Sequence, residues 1–146
     1  MNVIKAVNEA EVRDFISKQS PESKIYIGGD SERFKIDGVW YADYTIAIVI
    51  HVNGNNGCKV FGEITRERDY DQKKDKPRMR LMNEVMKVAN FYLKFADILE
   101  DYEVEIHLDI SPDKKHGSNV VLNEAIGYIK GMCNVIPFVK PQSWAG

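Results

Sequence analysis

Cysteine is scarce: Cys58 and Cys133 stand far apart, in no CxxC pair and with no histidine at zinc-finger spacing. Disulfide scaffolds and structural zinc sites both need paired ligands, so neither framework is indicated, and free thiols in a reducing compartment are expected. No apolar run approaches the roughly 18 residues that a membrane-spanning helix requires, and the opening MNVIKAVNEAEV lacks the apolar core of an export signal. A soluble, cytoplasmic protein with no membrane partner is therefore expected. Neither charge dominates, since 20 Lys and Arg face 22 Asp and Glu for a net charge of -2. Affinity for nucleic acid must then come from local patches rather than from the overall field. Internal repeats and low-complexity stretches are absent as well.

What is present is a 146-residue chain with 44% hydrophobic residues, enough to bury one core at the usual size of one domain. A single domain over 1–146 is expected. Asn8 and Glu11 form a capping box for a short helix through about Ser17, ended by Pro21. Lys24 to Ile27 reads as a short buried strand, and Gly28-Gly29 permits a close backbone approach just before Asp30. Trp40 to Val52 and Cys58 to about Arg66 are rich in β-branched and aromatic residues. The turn-forming NGNNG between them makes them antiparallel neighbours.

Pro77 stands where a long helix begins, and Leu81, Val85, Val88, Tyr92, Phe95 and Leu99 recur on one stripe of it. Val104, Ile106, Leu108 and Ile110 then alternate with Glu105, His107 and Asp109, the period of a strand, which Ser111-Pro112 ends. Ser118 or Asn119 caps a second helix with Gly131 as its left-handed exit, and Ile136 to Val139 is a candidate edge strand. The order after the first helix is β-β-β-α-β-α-β. A hairpin set followed by right-handed crossovers gives a mixed five-stranded α/β sheet flanked by helices, the ribonuclease H-like arrangement, with the strand carrying Asp109 parallel to that carrying Asp30.

In an open α/β sheet, sites form at the carboxyl ends of strands near the reversal of strand order, and Asp30 and Asp109 both fall at such ends. Two like charges held close persist only if a cation neutralises them or one pKa rises. Glu84 lies one turn from both Leu81 and Val88, at the margin of the buried stripe, and so looks toward the sheet. Three carboxylates select hard cations, Mg2+ or Mn2+. A pair of such ions activates water and stabilises the leaving oxygen of a phosphodiester. The plainer readings are a turn residue at Asp30, a loop cap at Asp109, and solvent pairing of Glu84 with Lys87 or Arg80.

Two basic loops flank this trio. Lys73, Lys74, Lys76, Arg78 and Arg80 precede or open the long helix, and Lys114, Lys115 and His116 follow Asp109. Lys74, Lys76, Arg78, Lys114, Lys115 and His116 are the candidate contacts to a phosphate backbone. Ordinary solvated surface is the alternative, and Asp69, Asp71 and Asp75 dilute the first loop. His51 and His107 sit within strand patterns and read as structural, as do Trp40 and Trp144 at sheet margins. Ser31 has no His-Asp partner at a nucleophile elbow, so serine catalysis is not supported.

The segments IYIGGDS, EIHLDIS, HGSNVVLNEAIGYIKGM and FVKPQSWA resemble the YkuK-like family of ribonuclease H-related nucleases, from about Lys24 to the end of the chain. The resemblance implies that Asp30 is the first-strand acid, Glu84 the first-helix acid and Asp109 the fourth-strand acid of a divalent-metal nuclease. Families of this fold commonly add a further acid on a later helix, and the pattern continues past Lys-Pro and Trp-Ala toward an Asp. The sequence stops at Gly146, before such a residue. Either a C-terminal helix lies beyond it or that ligand is lacking. Glu32 also makes an Asp30-x-Glu32 pair like that of proofreading-type exonucleases, without their late Tyr or His four residues before an Asp.

The expected function is metal-dependent hydrolysis of RNA, RNA–DNA hybrid or structured DNA. A ribonuclease H-like module that binds nucleic acid or protein without cleaving is the alternative. Phosphotransfer of the actin-like kind ranks last, because Ser31-Glu32-Arg33 stands where that chemistry places a glycine.

Overall fold

The computed structural model describes residues 2–52, 57–70, 78–110 and 122–139. Along them run β1 Asn2–Lys5, α1 Glu9–Ser17, β2 Lys24–Ile36, β3 Val39–His51, β4 Cys58–Arg68, α2 Arg78–Leu99, β5 Glu103–Leu108 and α3 Leu122–Cys133. The five strands form one mixed sheet in the order β1-β4-β3-β2-β5. Its architecture is the expected ribonuclease H-like α/β sheet with helices.

Local sequence explains most of these elements. Asn8 Oδ1 accepts the amide of Glu11 at 3.1 Å, which caps α1 as the capping box requires. Asp37 and Gly38 both take positive φ, 49° and 79°, the two-residue turn whose twist suits a hairpin. From that turn β2 and β3 pair without a break, Lys24 with His51 through Ile36 with Val39. β3 and β4 are antiparallel neighbours, as the NGNNG turn implied, though residues 53–56 lie outside the described residues.

α2 carries the chain from β4 across the sheet to β5, which pairs in parallel with β2. The predicted stripe of α2 is buried except for the half-buried Tyr92, with Val85, Val88 and Phe95 fully enclosed against Ile25, Ile27, Ile46, Ile48, Ile106 and Leu108 of the strands. α1 and α3 pack beside α2. Arg13 of α1 reaches Asp97 at 2.9 Å and the carbonyl of Lys94 at 2.6 Å, and Cys133 of α3 is buried 4.0 Å from the carbonyl of Ala89. Enclosing so much aliphatic surface is the main stabilising contribution to such a fold.

Four features depart from the sequence reading. The fifth strand is β1, at the far edge on β4; its Val3 and Ile4 remain exposed, so apolar periodicity carried no signal for it. Residues 136–139 do dock beside β5, but as one parallel bridge, with Phe138 N donating to Ile106 O and Leu108 N to Phe138 O. β2 extends nine residues beyond the expected Ile27, because the polar SERFK stretch pairs through its backbone with β3. Finally, α3 continues past Gly131, and Asn134, with φ 57°, makes the left-handed exit.

Candidate active site

β5 stops where β2 continues, and two of the acids stand at that break. Gly29 and Leu108 are the last paired residues of these two strands, so Asp30 and Asp109 each stand one residue past the pairing. Asp30 therefore lies inside β2, not at its end as the sequence reading had it; the end that defines the site is that of β5.

Glu84 reaches the same place from α2 because Gly29 has no side chain. A Cβ added there would lie 2.5 Å from Val88 Cγ2 and 3.5 Å from Glu84 Cγ, so only glycine lets the helix settle this closely on β2. Glu84 is 1% exposed, well inside the margin position inferred from the helical wheel. Nor does it pair in solvent with Lys87 or Arg80. Lys87 pairs with Glu67, and Arg80 reaches Glu84 through the Ser31 hydroxyl and through its charge.

Ser31 is the hub of the local hydrogen bonds. Its Oγ donates to Glu84 Oε1 at 2.7 Å and accepts from Arg80 Nη1 at 2.7 Å, while its amide donates to Asp30 Oδ1 at 2.8 Å. Burial pushes the Glu84 carboxyl up to about 8; the Ser31 hydrogen bond opposes this, the negative charges of Asp109 and Asp30 add to it, and Arg80 draws it back. Asp109 and Asp30 therefore both lie within electrostatic reach of Glu84.

Among the described residues no three His, Cys, Asp or Glu side chains form a ready-made metal cage. The donors nevertheless suit a hard cation. Glu84 Oε2 is buried with no hydrogen-bond partner, and the set is carboxylate oxygen throughout. A cation would give that oxygen a partner and cancel the repulsion, with Asp30, Glu84 and Asp109 as its holders.

The other candidates fare differently. Lys73, Lys74, Lys76, Lys114, Lys115, His116 and Trp144 lie outside the described residues, and Arg78 is the first residue of α2. Glu32 is exposed further along β2. His107 is buried, 3.0 Å from Glu105 Oε1 and stacked on Phe138, and His51 packs its ring edge-on against Tyr26. Trp40 lies under the Arg33 guanidinium, 4.0 Å from the ring centre. The sequence reading missed Ser31 and the positioning part of Arg80. Had β2 been carried past Asp30, the alternation of Ile25, Ile27 and Gly29 would have put Ser31 on the α2 face, and Arg80 lies one helical turn before Glu84.

An antiparallel hairpin set, a crossover helix bearing one acid, and two more acids where a parallel strand ends together define a ribonuclease H-like protein. A ribonuclease H-like family model matches residues 8–146, and the chain belongs to that family, in keeping with its YkuK-like motifs. No curated protein and no solved structure matches the chain.

Proposed function

We propose that this protein is a divalent-metal-dependent nuclease that hydrolyses phosphodiester bonds in RNA, RNA–DNA hybrid or structured DNA. The observation that carries the proposal is the buried Glu84 carboxyl lying within the electrostatic reach of Asp30 and Asp109, at the break between β2 and β5. Family membership supports a nucleic-acid substrate. Asp30, Glu84 and Asp109 would hold Mg2+ or Mn2+, in the two-ion form expected of such chemistry. When bound, the metal supplies an activated water and charge stabilisation at the leaving oxygen. Asp30 and Asp109 provide carboxylate oxygens where β5 ends. Ser31, steadied by Arg80, orients Glu84 toward them. Lys74, Lys76, Arg78, Lys114, Lys115 and His116 would carry the strand's phosphates on either side.

The test is cleavage of labelled RNA, DNA and hybrid substrates in manganese by wild type, Asp30→Asn and Asp109→Asn. Wild-type cleavage that falls at least about a hundredfold in both variants supports the assignment, since each variant removes a metal-holding charge. Strand binding without cleavage points to a binding module instead. Equal cleavage by all three proteins excludes the proposed site.

A further inference from the structure

A cleft of about 360 Å³ opens between β4 and the first half of α2, outside the acid cluster. That volume falls within the range of small-ligand sites. One wall carries Arg68 and Tyr70, the other Met79, Met82 and Met86, and the buried Tyr44 closes the floor. Tyr70 is 60% exposed, Met79 56% and Met86 40%, so three large apolar side chains stand in water at this one cleft.

Its charges are sorted in a way that bears on the occupant. Glu67 is engaged by Lys87 and Asn83, and Asp69 by Arg33, so both carboxylates of the cleft face cations or donors of the chain itself. The cations on the walls are Arg68 from β4, whose guanidinium lies 5.2 Å from the Tyr70 ring centre, and Arg80 from α2. Arg80 also donates to Ser31, which donates to Glu84, so two hydrogen bonds separate the cleft from the acids. An exposed aromatic ring, pliable thioethers and flanking guanidinium groups suit a flat, polarisable ring joined to an anion, which is the chemistry of a nucleotide.

We infer that this cleft takes one unpaired base of the substrate strand, stacked on Tyr70, while the adjoining phosphate passes Arg80 toward the acid cluster. The inference rests on the proposed nuclease activity and narrows its substrate. A base held in a duplex cannot enter, so strands that are single, frayed or flipped next to the cleavage point are preferred.

The test uses a short single-stranded RNA carrying 2-aminopurine, titrated in EDTA so that binding is read without cleavage. Binding by wild type that changes the fluorescence, weakens about tenfold in Tyr70→Ala, and is retained in Tyr70→Phe supports the inference, given what base–aromatic stacking contributes. Tyr70 is exposed, and melting curves verify that the variants fold. Unchanged affinity in Tyr70→Ala, equal affinity for the matching blunt duplex, or a Tyr70→Ala effect on self-association alone overturns it. Cleavage in manganese is scored separately. Tyr70-dependent binding without cleavage supports the cleft and counts against the nuclease; cleavage indifferent to Tyr70 and to strandedness overturns the cleft and leaves the nuclease standing.

Discussion

Gly29 and Val88 are in such close contact that a methyl group on Gly29 would lie 2.5 Å from Val88 Cγ2, nearer than side-chain carbons approach. Val88 is fully buried and β-branched, so it cannot easily turn away. Gly29→Ala is expected to lower stability by about 1–3 kcal/mol, the usual effect of overpacking, and to lift Glu84 from its place. Denaturant unfolding checks the first part. Combining it with Val88→Ala should recover part of the loss, a coupling that a double-mutant cycle reads directly.

Glu84 predicts an unusual dependence of stability on pH. Its carboxyl stands at about 8 in the folded chain against an ordinary 4.5. Between those values the folded chain keeps a proton that the unfolded chain has released, so this contribution is complete below the lower value and is lost as pH rises toward the upper one. Melting temperature in EDTA should fall from about pH 5 to about pH 9, and Glu84→Gln should flatten that slope. Glu67 and Glu105 are shifted downward, so their contributions are lost on acidification and do not mask the effect.

Metal should act in the opposite sense. A cation favours the ionised carboxyl, so manganese uptake near neutral pH should release a proton and raise the melting temperature. At a hundred times the dissociation constant the gain is about 2.7 kcal/mol. Asp30→Asn and Asp109→Asn should lose most of it, as thermal melts with and without manganese will show.

The ion pair of Arg33 and Asp69 is buried deeply enough to matter for stability. The Asp69 side chain is 1% exposed, the Arg33 side chain 16%, and Trp40 stacks on the guanidinium. Asp69→Ala leaves a buried cation without this partner and is expected to cost about 3–5 kcal/mol in urea unfolding. Replacing both, with Arg33→Met and Asp69→Leu, should cost much less.

How much of this was legible in the sequence depended on where the information resides. The long helix, the β3–β4 pairing and the parallel relation of β5 to β2 follow from periodicity and turn chemistry, and these bring Asp30 and Asp109 within electrostatic reach of Glu84. β1 is held by main-chain pairing with its apolar side chains exposed, which leaves no pattern to read. Ser31 was unreadable for a related reason: once β2 was ended at Ile27, nothing gave its side chain a direction. The depth of Glu84 depends on the absent side chain of Gly29, a contact across 55 residues that no local window reports. The cleft at Tyr70 is likewise a product of tertiary packing between β4 and α2.

The shortness of β5 has a consequence for how copies of this protein behave toward one another. Among the described residues nothing pairs with that side of β2 beyond Gly29, and a strand edge left uncovered there is a template onto which a neighbouring molecule's strand could zip. Exposed charges at Glu32 and Lys35 work against such docking. Neutral β-branched residues at these two positions should therefore leave the monomer folded but make concentrated solutions scatter light, as sheet edges join into fibres.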